Sequence, residues 1–103
     1  HLGGRVCDMD AISKIAKKYE CILLEDACHA LGAIYKTSKL KKYVGSCKYS
    51  LASTFSFHAI KNITTAEGGC ITTNNYEVYK NSIEKLCKKY SAFPNYIIKD
   101  FIF

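Results

Sequence analysis

Two residues of this chain of 103 have types and positions that could do chemistry. Asp26 follows an apolar run at residues 21–24, and Lys61 follows a second run, rich in apolar and hydroxyl side chains, at residues 51–57. Open α/β sheets bind their ligands in the crevice outside the strand ends, so an acid there suits a binding site. A carboxylate in that place can equally cap a following helix, and position alone leaves both roles open for Asp26.

The neighbours of Lys61 distinguish it from an ordinary surface charge. Taken alone, a lysine is most often solvent-facing. Ser56 and His58 place polar groups just before Lys61, and Asn62 begins a loop at residues 62–69 that is rich in hydrogen-bonding groups. This loop ends in two glycines, which permit close backbone approach. The surroundings therefore favour a lysine that faces a ligand.

The elements that must position these residues follow from hydrophobic periodicity. Residues 9–20 have the spacing of an amphipathic helix, which Asp8 or Asp10 can cap. The run at 21–24 is typical of a strand buried on both faces of a parallel sheet. The small residues at 27–35 could begin a short helix.

The second half of the chain predicts two more strands and a helix. Residues 51–57 form the second strand, and residues 70–73 form a third that could pair beside it. Asn75 opens the last helix, and Pro94 helps to end it. This order predicts an α/β fold with one core. Because the chain starts at His1 and ends in an apolar tripeptide, we expect a piece of a longer polypeptide.

Composition excludes several classes of protein. Hydrophobic residues make up 49% and charged residues 23%, which is ordinary for a globular protein. No apolar run approaches the roughly 20 residues of a membrane helix, so we expect a cytoplasmic protein without a membrane partner. The six cysteines show no C-x-x-C pair, which favours core packing in a reducing compartment over disulfides or zinc. Only Cys28 beside His29 hints at a metal, and we predict none.

The net charge of +6 fits an anionic partner without identifying it. The densest basic group lies at residues 36–42 and is interleaved with hydroxyl and apolar residues. It is typical of a solvated loop rather than a nucleic-acid interface, and no nucleic-acid partner is expected. Its members are Lys36, Lys39, Lys41 and Lys42.

Two motifs carry a resemblance to a known family. Residues 25–33 (EDACHALGA) and 56–69 (SFHAIKNITTAEGG) resemble the paired signatures of the DegT/DnrJ/EryC1/StrS sugar aminotransferases. Residues 1–10 resemble a third segment of that family, so the likeness covers residues 1–75, and residues 76–103 depart from it. The resemblance implies that residues 1–103 are part of the large domain of a fold type I pyridoxal 5'-phosphate enzyme. That domain has a mostly parallel sheet flanked by helices.

The resemblance also implies a role for each site residue. Lys61 would attach the cofactor covalently and then move a proton to and from the substrate carbon. Asp26 would pair with the pyridinium nitrogen, and His29 would lie beside the 3-hydroxyl unless it is a core histidine. Ser56 would bind the phosphate unless it is only a strand serine. Asn62 would lie at the edge of the cofactor site.

The implied reaction is transfer of an amino group to a nucleotide-linked 4-keto-6-deoxy sugar for surface polysaccharide synthesis. The sequence of the second motif is most similar to those of members that act on UDP-linked sugars. In the family, glutamate is the usual amino donor and the enzymes are homodimers, so the resemblance implies both. The related sugar dehydratases carry His at the lysine position, so the presence of Lys61 disfavours a dehydratase. The alternative is an inactive, truncated remnant of such an enzyme.

Overall fold

The described part of the chain folds into three strands and two α-helices in α/β order. A computed structural model describes residues 1–36 and 41–90. The elements are a one-turn 3-10 helix at Leu2–Gly4, α1 (Met9–Lys18), β1 (Leu24–Asp26), β2 (Ala52–Ser56), β3 (Gly69–Thr72) and α2 (Tyr76–Tyr90). The predicted α/β class is thereby confirmed.

The strands form one small mixed sheet in the order β1-β2-β3. β1 and β2 run parallel, with Asp26 opposite Thr54. β2 and β3 run antiparallel, with Ser56 opposite Gly69. The third strand pairs with the second as predicted, and the parallel pair brings the carboxyl ends of β1 and β2 to the same edge of the sheet.

Side-chain caps begin both helices. The carboxylate of Asp8, rather than Asp10, accepts the amide N–H of Ala11 at 3.0 Å. Asn75 does the same for α2 by accepting the amide N–H of Val78 at 3.0 Å. Each cap satisfies one of the amide groups that a first helical turn leaves without a partner, which fixes where the helices begin.

The prediction for the first strand was wrong in extent and in burial. β1 begins at Leu24 rather than at residue 21, because its ladder partner β2 begins opposite it at Ala52. Leu24 is 68% exposed whereas Glu25 is 4% exposed, so only one face of the strand is buried among the described residues.

The predicted short helix at residues 27–35 is absent from the structure. Two successive turns occupy that segment instead, closed by Ala30 N–H to the carbonyl of Ala27 and by Ala33 N–H to that of Ala30. Gly32 has a φ of 78°, which is incompatible with a continuing right-handed helix.

The core lies on the face of the sheet that buries Glu25. Its buried apolar members are Met9, Ala27, Ala30, Tyr35, Val44 and Phe55. Of the described cysteines, only Cys47 is buried, so core packing was a wrong prediction for Cys7, Cys21 and Cys70, which are exposed. These three lie before α1, after α1 and on the outer strand β3, where little of the described chain covers them.

Other predictions concern the surface. Lys36, Lys41 and Lys42 are exposed, as expected of a solvated loop, whereas Lys39 and Pro94 lie outside the described residues. Within residues 1–36 and 41–90, no helix is both long and apolar enough to cross a membrane.

Gly69 supplies a test of the β2–β3 pairing. A β-carbon there would lie 2.6 Å from the carbonyl oxygen of Phe55, a backbone atom that cannot move independently. Alanine is normally favoured over glycine within a strand by about 0.5–1 kcal/mol. We expect Gly69→Ala to reverse this sign and to lower the free energy of unfolding, measured by urea titration, by roughly 1–3 kcal/mol.

The control is Cys70→Ala, on the same strand at an exposed position, which should change that free energy by no more than about 0.5 kcal/mol. A stability gain in Gly69→Ala would contradict the close approach of the two strands.

Candidate functional site

The alternation of side chains along β1 separates two neighbouring acids. Successive residues of a strand point to opposite faces, so Glu25 enters the core while Asp26 lies on the exposed face. Ser56 ends the parallel strand β2 at the same edge. The sheet thus brings a carboxylate and a hydroxyl together outside its strand ends, where α/β folds bind ligands.

Lys61 reaches this edge from the connection between β2 and β3. Phe57 closes the connection at both of its polar main-chain atoms: its N–H donates to the carbonyl of Gly68 at 2.8 Å, and its carbonyl accepts the N–H of Thr65 at 2.9 Å. A tighter turn within it is closed by Lys61 N–H to the carbonyl of His58 at 2.9 Å. Local backbone bonds therefore fix the base of the lysine.

The Lys61 amine lies against the ring of His29. Lys61 Nζ is 2.8 Å from His29 Nε2, in a partly buried position. The other ring nitrogen, Nδ1, accepts the amide N–H of Gly3 at 3.3 Å. Gly3 has a φ of 61°, in the left-handed region that glycine enters without strain. The first turn of the chain therefore orients the histidine that contacts the lysine.

Cys28 holds Asp26 in its ionised form. The amide N–H of Cys28 donates to Asp26 Oδ1 at 3.1 Å. Hydrogen bonds from the thiol and then the amide of Cys28 lower the pKa of the Asp26 carboxyl. In return, the hydrogen bond to Asp26, burial and the charge of Asp26 raise the pKa of the Cys28 thiol. Cys28 is thus a hydrogen-bond donor and a poor nucleophile, because the thiolate is the reactive form.

These side chains surround one cavity of about 360 Å³, a volume within the range of small-molecule sites. Four of the five predicted site residues line it, and the fifth, Asn62, does not. Asn62 is exposed on the loop just beyond Lys61. The full lining consists of His1, Leu2, Asp26, Cys28, His29, Ser56 and Lys61.

Ser56 is oriented by the chain that follows it. Its Oγ accepts the amide N–H of His58 at 3.3 Å, which leaves the hydroxyl proton available to donate to a ligand oxygen. The ring of His58 is about half exposed and lies 3.7 Å from Glu67, away from the cavity lining. His58 therefore contributes its backbone to the site.

Sequence patterns alone missed three contributors to this site. Gly3 orients His29, Cys28 donates to Asp26, and His1 lines the cavity. The available signal was the family-like segment at residues 1–10, which carries a glycine turn but reveals no partner for it. The contacts of that segment with the site join residues about 25 positions apart, a distance that no periodicity encodes.

A larger groove, of about 810 Å³, lies along residues 5–10 and Tyr49, and it contains none of the predicted site residues. In the described ranges, no group of three His, Cys, Asp or Glu side chains is arranged to hold a metal ion. Of these two cavities in the described part of the chain, the smaller one combines an amine, a carboxylate, an imidazole and a hydroxyl.

The bond between Cys28 and Asp26 predicts a measurable titration. Because folding lowers the pKa of Asp26, its contribution to stability is present above the pKa of the unfolded chain. That contribution is lost as pH falls through the lower, folded-state pKa. Cys28→Ala removes the thiol donor, so the pKa of Asp26, followed by carbon-13 NMR of its carboxyl group, should rise.

Cys21→Ala, at an exposed position, should leave the Asp26 titration unchanged. An equal titration of Asp26 in wild type and in Cys28→Ala would show that the thiol does not stabilise the carboxylate.

Comparison with known proteins relates this arrangement to a family. The model of the DegT/DnrJ/EryC1/StrS aminotransferase family matches residues 1–93. A Campylobacter jejuni protein named UDP-4-amino-4,6-dideoxy-N-acetyl-beta-L-altrosamine transaminase is 50% identical over 76 residues, which cover 74% of this chain and 19% of that protein. The chain thus spans about a fifth of the length of the curated relatives it matches.

Two solved structures share the fold. A Helicobacter pylori aminotransferase involved in the biosynthesis of pseudoaminic acid matches 95% of this chain and 24% of its own, with a TM-score of 0.72 and 37% identity. A putative sugar aminotransferase from Streptococcus pneumoniae, solved in its PLP form, matches 87% of this chain and 25% of its own, with a TM-score of 0.62 and 31% identity. The described residues are part of the α/β fold of fold type I aminotransferases, and the chain belongs to the DegT/DnrJ/EryC1/StrS aminotransferase family.

Proposed function

We propose that the polypeptide carrying this chain is a pyridoxal 5'-phosphate-dependent sugar aminotransferase whose cofactor is held by Lys61. One observation carries the proposal. The Lys61 amine lies 2.8 Å from His29 Nε2 in a cavity that Asp26 and Ser56 also line. A partly buried amine beside an imidazole and a carboxylate is an arrangement suited to reaction with an aldehyde.

The chemistry of the lining fits each functional group of that cofactor. The Lys61 amine matches the aldehyde, and the Asp26 carboxylate matches the pyridinium nitrogen. The free hydroxyl proton of Ser56 matches a phosphate oxygen, and the His29 ring matches the 3-hydroxyl. When bound, the cofactor supplies an electron sink that stabilises negative charge on the substrate carbon.

Residues of this chain would carry out the proton transfers and orient the reacting groups. Asp26, ionised to low pH by its bonds from Cys28, would keep the ring nitrogen protonated. Lys61, once released by the incoming amine, would carry a proton to and from the substrate carbon, and it would act as nucleophile and base in turn. His29 would keep the Lys61 amine at the correct edge of the cavity.

The proposed substrate is a nucleotide-linked 4-keto-6-deoxy sugar, with UDP as the nucleotide and glutamate as the amino donor. The name of the Campylobacter relative, a UDP-sugar transaminase, supports a UDP-linked sugar as the substrate. A basic chain, with a net charge of +6, suits an anionic substrate. As in the family, the active form would be a homodimer.

The first test is cofactor binding by the full polypeptide that carries this sequence. We expect a visible absorbance band of the bound cofactor in wild type and its loss in Lys61→Ala, because the covalent link requires the amine. Lys17→Ala, an exposed lysine of α1, serves as the matched control and should keep the band. Absence of the band in wild type would instead support the alternative of an inactive remnant.

The second test concerns Asp26. Asn has the same shape without the charge, so Asp26→Asn removes one partner of a charge pair that the cofactor would shield from water. Such a loss costs about 2–5 kcal/mol, and we expect amino transfer from glutamate to a UDP-linked keto sugar to slow by roughly 30-fold or more. Glu77→Gln, an exposed acid of α2, should leave the rate unchanged. Equal rates in Asp26→Asn and wild type would remove Asp26 from the proposed mechanism.

A further inference from the structure

Glu25 is a buried acid that the proposed chemistry does not use. It is 4% exposed, and its carboxylate accepts from four side chains. Oε2 accepts from His1 Nε2 and from the Tyr35 hydroxyl, each at 2.7 Å. Oε1 accepts from the hydroxyl of Ser50 and, at 3.3 Å, from that of Ser53. Both oxygens are therefore fully used as acceptors.

All four donors are neutral groups. His1 Nδ1 accepts the amide N–H of Cys7 at 3.2 Å, so this nitrogen carries no proton and the ring donates through Nε2–H as a neutral imidazole. Burial, followed by the hydrogen bond to Glu25, raises the pKa of Tyr35, which keeps its hydroxyl a donor. Because two donors point at each oxygen of the Glu25 side chain, both of these oxygens must be acceptors.

One of these bonds leads to the candidate cofactor site. His1 begins the turn at Leu2–Gly4, and the Gly3 amide of that turn donates to His29 Nδ1 at 3.3 Å. The main-chain nitrogen of His1 also donates to the carbonyl of Asp26 at 3.2 Å. The side chain that Glu25 holds is therefore part of the segment that orients the ring facing Lys61.

The Gly3 bond selects one form of His29. A nitrogen that accepts an amide N–H carries no proton, so neutral His29 must carry its proton on Nε2. That nitrogen lies 2.8 Å from Lys61 Nζ, so the imidazole N–H points toward the amine. Attack on a carbonyl requires the unprotonated amine, which is the form that can accept this N–H.

We propose that Glu25 is a positioning residue: by holding His1, it places the Gly3 amide at His29 and so keeps the His29 proton on the nitrogen that faces Lys61. This role rests on the proposed function of Lys61 as the cofactor lysine. It assigns Glu25 no contact with cofactor or substrate. The effect of Glu25 on His29 passes through the turn at Leu2–Gly4.

The experiment uses three variants of the full polypeptide without cofactor. Glu25→Gln keeps the shape of the side chain but replaces one carboxylate oxygen with an NH2 group. That group is a donor, and it would face two side chains that are themselves donors. His1→Phe keeps an aromatic ring and removes the bond that leads to the turn. Ser53→Ala is the matched control, because it removes one donor to Glu25 that has no connection to the turn. Nitrogen-15 NMR of the His29 ring reports which nitrogen carries the proton.

We expect the His29 signals of wild type and Ser53→Ala to show a proton fixed on Nε2. Glu25→Gln and His1→Phe should show a mixture of the two neutral forms. When cofactor is added, its Kd should rise by about tenfold or more in the latter two, the effect expected when the partner of a ligand-orienting group is lost.

Unchanged His29 signals in His1→Phe would overturn the proposal, and so would equal changes in His1→Phe and Ser53→Ala, which would indicate a purely structural network. If Glu25→Gln does not fold, the comparison of His1→Phe with Ser53→Ala still decides. Failure of wild type to bind cofactor would overturn the proposed function of Lys61, whereas the His29 signals would still test the role of Glu25.

Discussion

The arrangement of the site depends on the buried carboxylate of Glu25. Its partners come from different parts of the chain: His1 from the first turn, Tyr35 from the segment after β1, and Ser50 and Ser53 from the start of β2 and its approach. Removing one partner of a buried ion leaves an uncompensated polar group, at a cost of about 1–3 kcal/mol or more. One carboxylate thus joins the segments that carry the site.

The pleat of β1 links the burial of Glu25 to the position of Asp26. Because neighbouring side chains of a strand point to opposite faces, anchoring Glu25 in the core also directs Asp26 to the cavity that Ser56 and Lys61 line. The parallel pairing with β2 then fixes the distance between Asp26 and Ser56 along that edge. Lys61 follows on a connection that the backbone of Phe57 closes. Paired strands therefore position Asp26 and Ser56, and the connection after β2 positions the Lys61 amine.

Local sequence signals were sufficient for much of this arrangement. The strand ends singled out Asp26 and Lys61, and the family resemblance added His29 and Ser56. The structure places all four around one cavity. Apolar periodicity located both helices, and runs of strand-forming residues located the second and third strands. The wrong predictions concern the extent of β1, where pairing with a distant strand decides the boundary, and the segment at 27–35, where Gly32 breaks the helix.

What the sequence could not predict is long-range and polar. The hydrogen bonds from His1 to Glu25 and from Gly3 to His29 join residues 24 and 26 positions apart, and hydrogen bonds of this kind leave no periodic trace in the sequence. Burial was also predicted wrongly for Cys7, Cys21 and Cys70, because their exposure depends on which elements cover them. Periodicity therefore located the elements, and packing decided how their polar groups meet.

The central claim is that Lys61 is the residue that binds the cofactor, and chemical mapping tests it most directly. Borohydride reduces a carbon–nitrogen double bond to a stable single bond, so treatment of the cofactor-loaded polypeptide would fix the cofactor to its lysine. Digestion and mass spectrometry would then locate the added mass. We predict that the mass is found on the peptide that contains Lys61. Its presence on a different lysine, with Lys61 unmodified, would contradict the claim.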